Sequence, residues 1–109
     1  MIKLIFMGYV YLIHMINTNF YKIGITKRDV DVRMKELKTG NPIPLKLVGV
    51  YESENYNHVE TWLHRKFKYK RQEGEWFEFN EHFINNFINE CEILDKTITL
   101  LLEQNPFFS

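Results

Sequence analysis

The chain predicts an α+β fold: a small, mainly antiparallel sheet flanked by helices, closed by a long C-terminal helix. Three observations carry this. Two β-type runs, Tyr9–Ile13 and Tyr21–Thr26, are joined by the turn signal Asn17-Thr18-Asn19. Helical and strand-like patterns then alternate, which interleaves the two kinds of element in one layer structure. The last third carries a long apolar stripe at helical spacing.

Each element has its own signal. The first two strands form a hairpin with a loop longer than the tightest type. Asp29 or Asp31 can cap a following helix, whose Val30, Met34 and Leu37 fall at i, i+4 and i+7. Gly40 ends that helix, and Pro42 and Pro44 forbid its continuation. Leu45 to Tyr51 reads as a third strand with Leu45, Leu47, Gly49 and Tyr51 on one side. Asn55 or Asn57 caps a helix striped by Val59, Trp62, Leu63 and Phe67, and Gly74 breaks the chain before the extended segment Trp76–Phe79. The final helix runs from about Glu81 to about Gln104. Its Ile84, Phe87, Cys91, Leu94, Ile98 and Leu101 step by 3, 4, 3, 4, 3, widened by Phe83, Ile88 and Leu102. That stripe lies across the sheet or forms a dimer seam. Phe107 and Phe108, after Pro106, pack on the body or at such an interface.

A length of 109 residues is expected to make one domain, with its core over residues 9–79. Net charge is zero, so nucleic-acid binding has to come from local patches. The single cysteine, Cys91, cannot form an internal disulfide, which fits a reducing, intracellular setting. No apolar run is long enough to cross a bilayer, and the Met1–Met7 run is too short for a signal peptide, so no membrane partner is expected. His58, His64 and Cys91 do not form a zinc signature.

Four residues concentrate the chemistry: Tyr11, Lys22, Arg33 and Glu60. Arg33 borders the apolar face of its helix. It either snorkels along the helix edge or serves as a phosphate clamp, for which its rigid fork of donors is suited. Glu60 has His64 one turn later on the same side. The pair is either a solvated surface pair or a site in which Glu60 holds one Mg²⁺ (or Mn²⁺) and His64 contacts phosphate or orients a water. Strand alternation puts Tyr21, Ile23 and Ile25 on one face and Lys22, Gly24 and Thr26 on the other, with Gly24 leaving room for a substrate backbone. Lys66, Lys68, Lys70 and Arg71, extended in space by Lys22, Lys27 and Arg28, form a basic cluster. It suits phosphate contacts to DNA, or is simply the solvated end of a helix.

These pieces, in this order, resemble the GIY-YIG nuclease domain and more closely its phage and viral, DNA-binding branch. The matching residues are Val10-Tyr11-Leu12-Ile13, Tyr21-Lys22-Ile23-Gly24-Ile25-Thr26, Arg33, Thr39-Gly40-Asn41-Pro42 with Leu45, Glu60 with His64 and Phe67, and Gly74-Glu75-Trp76-Phe77. The resemblance implies a three-stranded antiparallel sheet and one divalent metal on Glu60. It also implies a tyrosine-derived base acting on water, with Arg33 stabilising the charge that develops. Tyr11 takes the place of the first-motif tyrosine. Lys22 stands where the second tyrosine is expected, with Tyr21, one residue early, kept as a further catalytic candidate; Tyr9 replaces a glycine and Leu37 a histidine. A functional asparagine of the last helix corresponds to Asn80, Asn85 or Asn86. The expected function is a metal-dependent DNA endonuclease. The competing readings are a DNA-binding module of the same fold without cleavage, or a helix-mediated interaction domain. No separate DNA-binding module lies in these residues, so target choice is expected to come from a homodimer, a partner or DNA shape.

Overall fold

A computed structural model describes residues 5–104. The elements are β1 (Gly8–Met15), β2 (Phe20–Thr26), α1 (Val30–Lys38), β3 (Leu45–Ser53), α2 (Tyr56–Lys66), a 3₁₀ turn (Lys68–Lys70), β4 (Trp76–Glu78) and α3 (Glu81–Gln104). The fold is α+β, as the sequence predicts. The strands form one antiparallel sheet in the order β3-β1-β2-β4. Among the described residues no helix is long and apolar enough to cross a membrane. Phe107 and Phe108 lie outside the described residues.

The sheet has four strands where the resemblance implied three. The short β4 pairs with the first half of β2, Phe20↔Glu78 to Lys22↔Trp76. Alternation makes this worthwhile: Trp76 packs on one face of the sheet and Phe77, fully buried, on the other. β4 begins only at Trp76, so the outer edge of β2 beyond Lys22 is not covered by it.

Each face has its own core. Val10, Leu12, Ile23 and Phe77 meet α2 and α3 through Val59, Leu63, Phe83, Phe87 and Cys91. Tyr11, Ile13 and Leu45 meet α1 through Met34, with Val30 and Leu37 alongside. The predicted stripe of α1 is thus its buried face. Asp29 provides the cap, its carboxylate accepting from the Asp31 N–H at 2.7 Å. Asn17 takes φ 66° in the hairpin loop, a conformation asparagine tolerates.

β3 departs from simple alternation. Leu12 pairs with Gly49 but Ile13 with Leu47, so Val48 is an extra residue. This bulge reverses the phase: Leu45 and Leu47 join the α1 side, while Val48 and Tyr51 pack on the α3 side. The expected single-sided set therefore splits between the two cores. Asn55 occupies the N-cap position of α2 but its side chain makes no cap bond. Its amide instead donates to Asp95 Oδ1 (2.8 Å) and Thr99 Oγ1 (3.0 Å), while the Tyr51 hydroxyl donates to Asp95 Oδ2 (2.6 Å). These bonds pin α3 to β3 and to the start of α2.

α3 lies across the sheet, burying Phe83, Phe87, Cys91 and Ile98. Burial pushes the Cys91 thiol up to about 12, which leaves it a packing residue. Ile88 and Leu101 are 41% and 45% exposed, outside the stripe predicted for them. A 3.6-residue turn drifts against a 3-4 repeat, so that Leu102 meets the body at the last turn in place of Leu101.

Candidate active site and nucleic-acid interface

Tyr11 and Gly24 are opposite one another in the β1–β2 ladder, on the α1 face. A Cβ at Gly24 would lie 2.7 Å from Tyr11 Cε1 and closer still to Cζ and the hydroxyl. The space left by the glycine is therefore filled by the tyrosine ring, which corrects the expectation that a substrate backbone enters there. Gly24→Ala is expected to lower stability by about 1–3 kcal/mol through overpacking, a fall in Tm of several degrees in a thermal melt.

Tyr11 is 1% exposed. Its hydroxyl accepts from Arg33 Nε at 3.4 Å, and this bond holds the guanidinium more firmly in its charged form. Arg33 Nη1 also lies 3.5 Å from Glu36 Oε2. The arginine is thus braced at both ends, by the sheet and by its own helix. The guanidinium lies against the sheet at the Tyr11 hydroxyl and remains about one-third exposed.

Lys22 lies on the same face, diagonal to Tyr11. Its Nζ is 3.0 Å from Glu75 Oε2, and its side chain is 19% exposed. The hydrogen bond from Lys22 holds the Glu75 carboxylate below the usual range, aided by the charges of His64 and Arg33. Lys22 is a fixed cation here, tied to the residue that precedes β4.

Glu60 and His64 come from α2, on the opposite side of the sheet, and His64 reaches the open edge of β2. His64 Nε2 lies 2.9 Å from the Ile23 carbonyl, just past the point where β4 begins. A carbonyl only accepts, so Nε2 carries the proton and Nδ1 is left as the second ring nitrogen. The ring also stands edge-on to Phe77, with centroids 5.0 Å apart. Glu60 is half-buried, and burial raises its carboxyl above the usual range. Glu75 adds to the rise, while His64 and Lys22 oppose it. No ion pair engages Glu60 among the described residues. Glu60, His64, Lys22 and Glu75 are therefore electrostatic neighbours, and Arg33 acts on the same Glu75.

The donor set fits a hard divalent cation that keeps most of its water. Among the described residues, no group of three or more His, Cys, Asp or Glu side chains is arranged to hold an ion. One half-buried carboxylate, with the other positions taken by water and phosphate oxygens, is a sufficient protein share for Mg²⁺.

A groove of about 320 Å³ leads away from Glu60 and His64, lined by Thr61, Arg65, Lys68 and Arg71. The predicted basic cluster divides over it. Lys68 and Arg71 line the groove, whereas Lys66 turns to α3, where Nζ is 2.6 Å from Glu90 Oε2. Lys70 sits beside the Tyr69 ring on the far side of the 3₁₀ turn. Arg28 pairs with Glu36 on α1, and Lys27 is exposed beside it. Arg65 was missed from the sequence, although it stands one residue after His64. The 3₁₀ turn that follows α2 brings it to the same wall as Lys68.

Two predicted placements need correction. Tyr21 does not join the site: it points to the α2–α3 face, stacked on His14 with centroids 4.5 Å apart and tilted against Phe79. Burial raises its hydroxyl pKa, with Glu81 adding to the effect. Alternation along β2 forces this, because Lys22 takes the other face. The candidate asparagines Asn80 and Asn86 are also elsewhere, at the first turns of α3 beside Tyr69.

An arginine on α1, a lysine on β2 and an unpaired carboxylate on α2, the last opening on a basic groove, suit a nuclease-like, DNA-binding type of module. Residues 8–92 match the T5orf172 domain. The chain belongs to the T5orf172 domain family, which is related to the GIY-YIG nuclease fold. No curated protein and no solved structure matches it.

Proposed function

We propose that the protein is a metal-dependent endonuclease that hydrolyses DNA phosphodiester bonds, of the GIY-YIG type and its phage or viral branch. The observation that supports this reading is His64 held on the β2 edge at the Ile23 carbonyl, next to the Lys22–Glu75 pair and one turn from Glu60, with Arg33 held separately by the buried Tyr11 hydroxyl. A Mg²⁺ or Mn²⁺ on Glu60 would supply Lewis acidity toward a phosphate oxygen. Arg33, oriented by the buried Tyr11 hydroxyl, donates to the phosphate oxygens as negative charge builds on them. His64 gives Nε2–H to the Ile23 carbonyl and keeps Nδ1 for the attacking water. Lys22 contributes fixed positive charge, and Arg65, Lys68 and Arg71 hold the flanking phosphates without reading sequence. Lys27, Arg28, Lys66 and Lys70 extend this field more distantly. The protein works inside the cell, with target choice set by a second copy or a partner.

A specific observation favours a second reading, a DNA-binding module without cleavage. Tyr11 is sealed in the core, and the second-motif position is a lysine already paired with Glu75. Supercoiled plasmid separates the two. Nicking is expected with Mg²⁺ or Mn²⁺ and none with EDTA. Plasmid bound but never nicked with either metal would leave the binding module, and no binding at low salt would leave a helix-mediated interaction domain.

A further inference from the structure

The 3₁₀ turn Lys68–Lys70 is a ridge between two clefts. Lys68 lines the Glu60 groove, whereas Tyr69 and Lys70 line a second cleft of about 240 Å³. Its floor is aromatic, with Phe67 against the stacked pair Phe79 and Phe83. Tyr69 stands at its mouth, 75% exposed, its centroid 6.5 Å from that of Phe67. A ring this exposed adds little to the core. Lys70 Nζ lies 5.7 Å from the Tyr69 centroid, a cation held beside a π face.

The rim has complementary polar groups. The Asn80 side-chain oxygen accepts from the Phe83 N–H at 3.0 Å, so its NH₂ remains as a donor. The Asn86 NH₂ donates to the His82 carbonyl at 2.7 Å, so its oxygen remains as an acceptor. The cleft's carboxylate, Glu90, is neutralised by Lys66 at 2.6 Å.

We infer that this cleft receives an unpaired nucleobase of the DNA strand whose phosphates occupy the Glu60 groove, an inference that rests on the DNA reading above. Aromatic faces accept any base by stacking. A donor from Asn80 and an acceptor from Asn86 on one rim match the kinds of group on the edge that a base exposes only when unpaired. Lys70 on one flank of the ridge and Lys68 on the other bracket the connecting phosphates. A closed duplex offers no unstacked base and does not use the cleft.

The test measures binding in EDTA, which suppresses cleavage, by fluorescence anisotropy of a labelled single strand and a blunt duplex. Tyr69→Ala is expected to weaken single-strand binding by about 5- to 150-fold and leave duplex binding unchanged. Tyr69→Phe retains both. Asn86→Ala weakens the single strand alone, and 2-aminopurine in that strand is quenched on binding to wild type. An unchanged single-strand affinity in Tyr69→Ala overturns the inference while the duplex still binds. So does an equal loss on both DNAs, which reduces Tyr69 and Lys70 to a backbone contact. If wild type binds neither DNA, the DNA reading falls and this inference with it.

Discussion

Glu60→Gln is expected to lower DNA nicking by more than about 100-fold without lowering Tm. Loss of an outer-shell partner of a metal ligand already costs about 10- to 100-fold, and Glu60 is itself the proposed ligand. The substitution keeps shape and hydrogen-bonding capacity but removes the charge. Stability moves in the opposite sense. Burial raises the carboxyl of Glu60 in the folded protein, so folding favours its protonated form. That contribution is fully present below the unfolded-state pKa and is lost as pH rises through the raised folded value. At neutral pH the ionised Glu60 is therefore a destabilising group, and glutamine removes that penalty. Cleavage needs the ionised form, so nicking falls as acid protonates Glu60, and a bound cation moves that limb to lower pH. Nicking rates against pH, beside thermal melts of both proteins, check all three points. A variant that loses activity and Tm together would instead make Glu60 a structural residue.

Arg33→Ala is expected to lower the nicking kcat by about 10²–10³-fold, the effect of removing a donor aimed at developing charge. Plasmid binding should change far less, because Arg65, Lys68 and Arg71 hold the flanking phosphates. Arg33→Lys should recover little, since an ammonium lacks the planar fork that Tyr11 and Glu36 hold from either end. Tyr11→Phe removes only the orienting hydroxyl and keeps the ring against Gly24. Its loss in kcat should be smaller than that of Arg33→Ala, with the fold intact. A rise in KM at unchanged kcat would show Arg33 to be a uniform binding contact.

These two residues also show how far a one-dimensional pattern reaches. Arg33 was legible because it borders the apolar stripe of α1, and the helix fixes which way it leans. Lys22 and Tyr21 were separable because strand alternation admits no compromise: one faces Tyr11, the other His14. Glu60 was legible only as the partner of His64. The seat of His64 at the Ile23 carbonyl depends on where β4 begins, and no local spacing encodes that. Arg65 was missed for the same reason, because only the packed 3₁₀ turn sets Lys68 and Arg71 on the same wall as Arg65. Gly24 was read as space for a ligand. The register of β1 against β2 gives that space to Tyr11.

The sequence by itself determined the order and kind of the elements, the cap of α1, the buried face of α1 and the face of β2 that carries Lys22. These are short-range matters of periodicity, capping and steric preference. Only the tertiary structure decided the fourth strand, the bulge at Val48, the filling of Gly24 and the approach of His64 to the edge of β2. Each depends on which distant segments pack together, and packing is satisfied by volume and register over the whole domain rather than by neighbours in the chain.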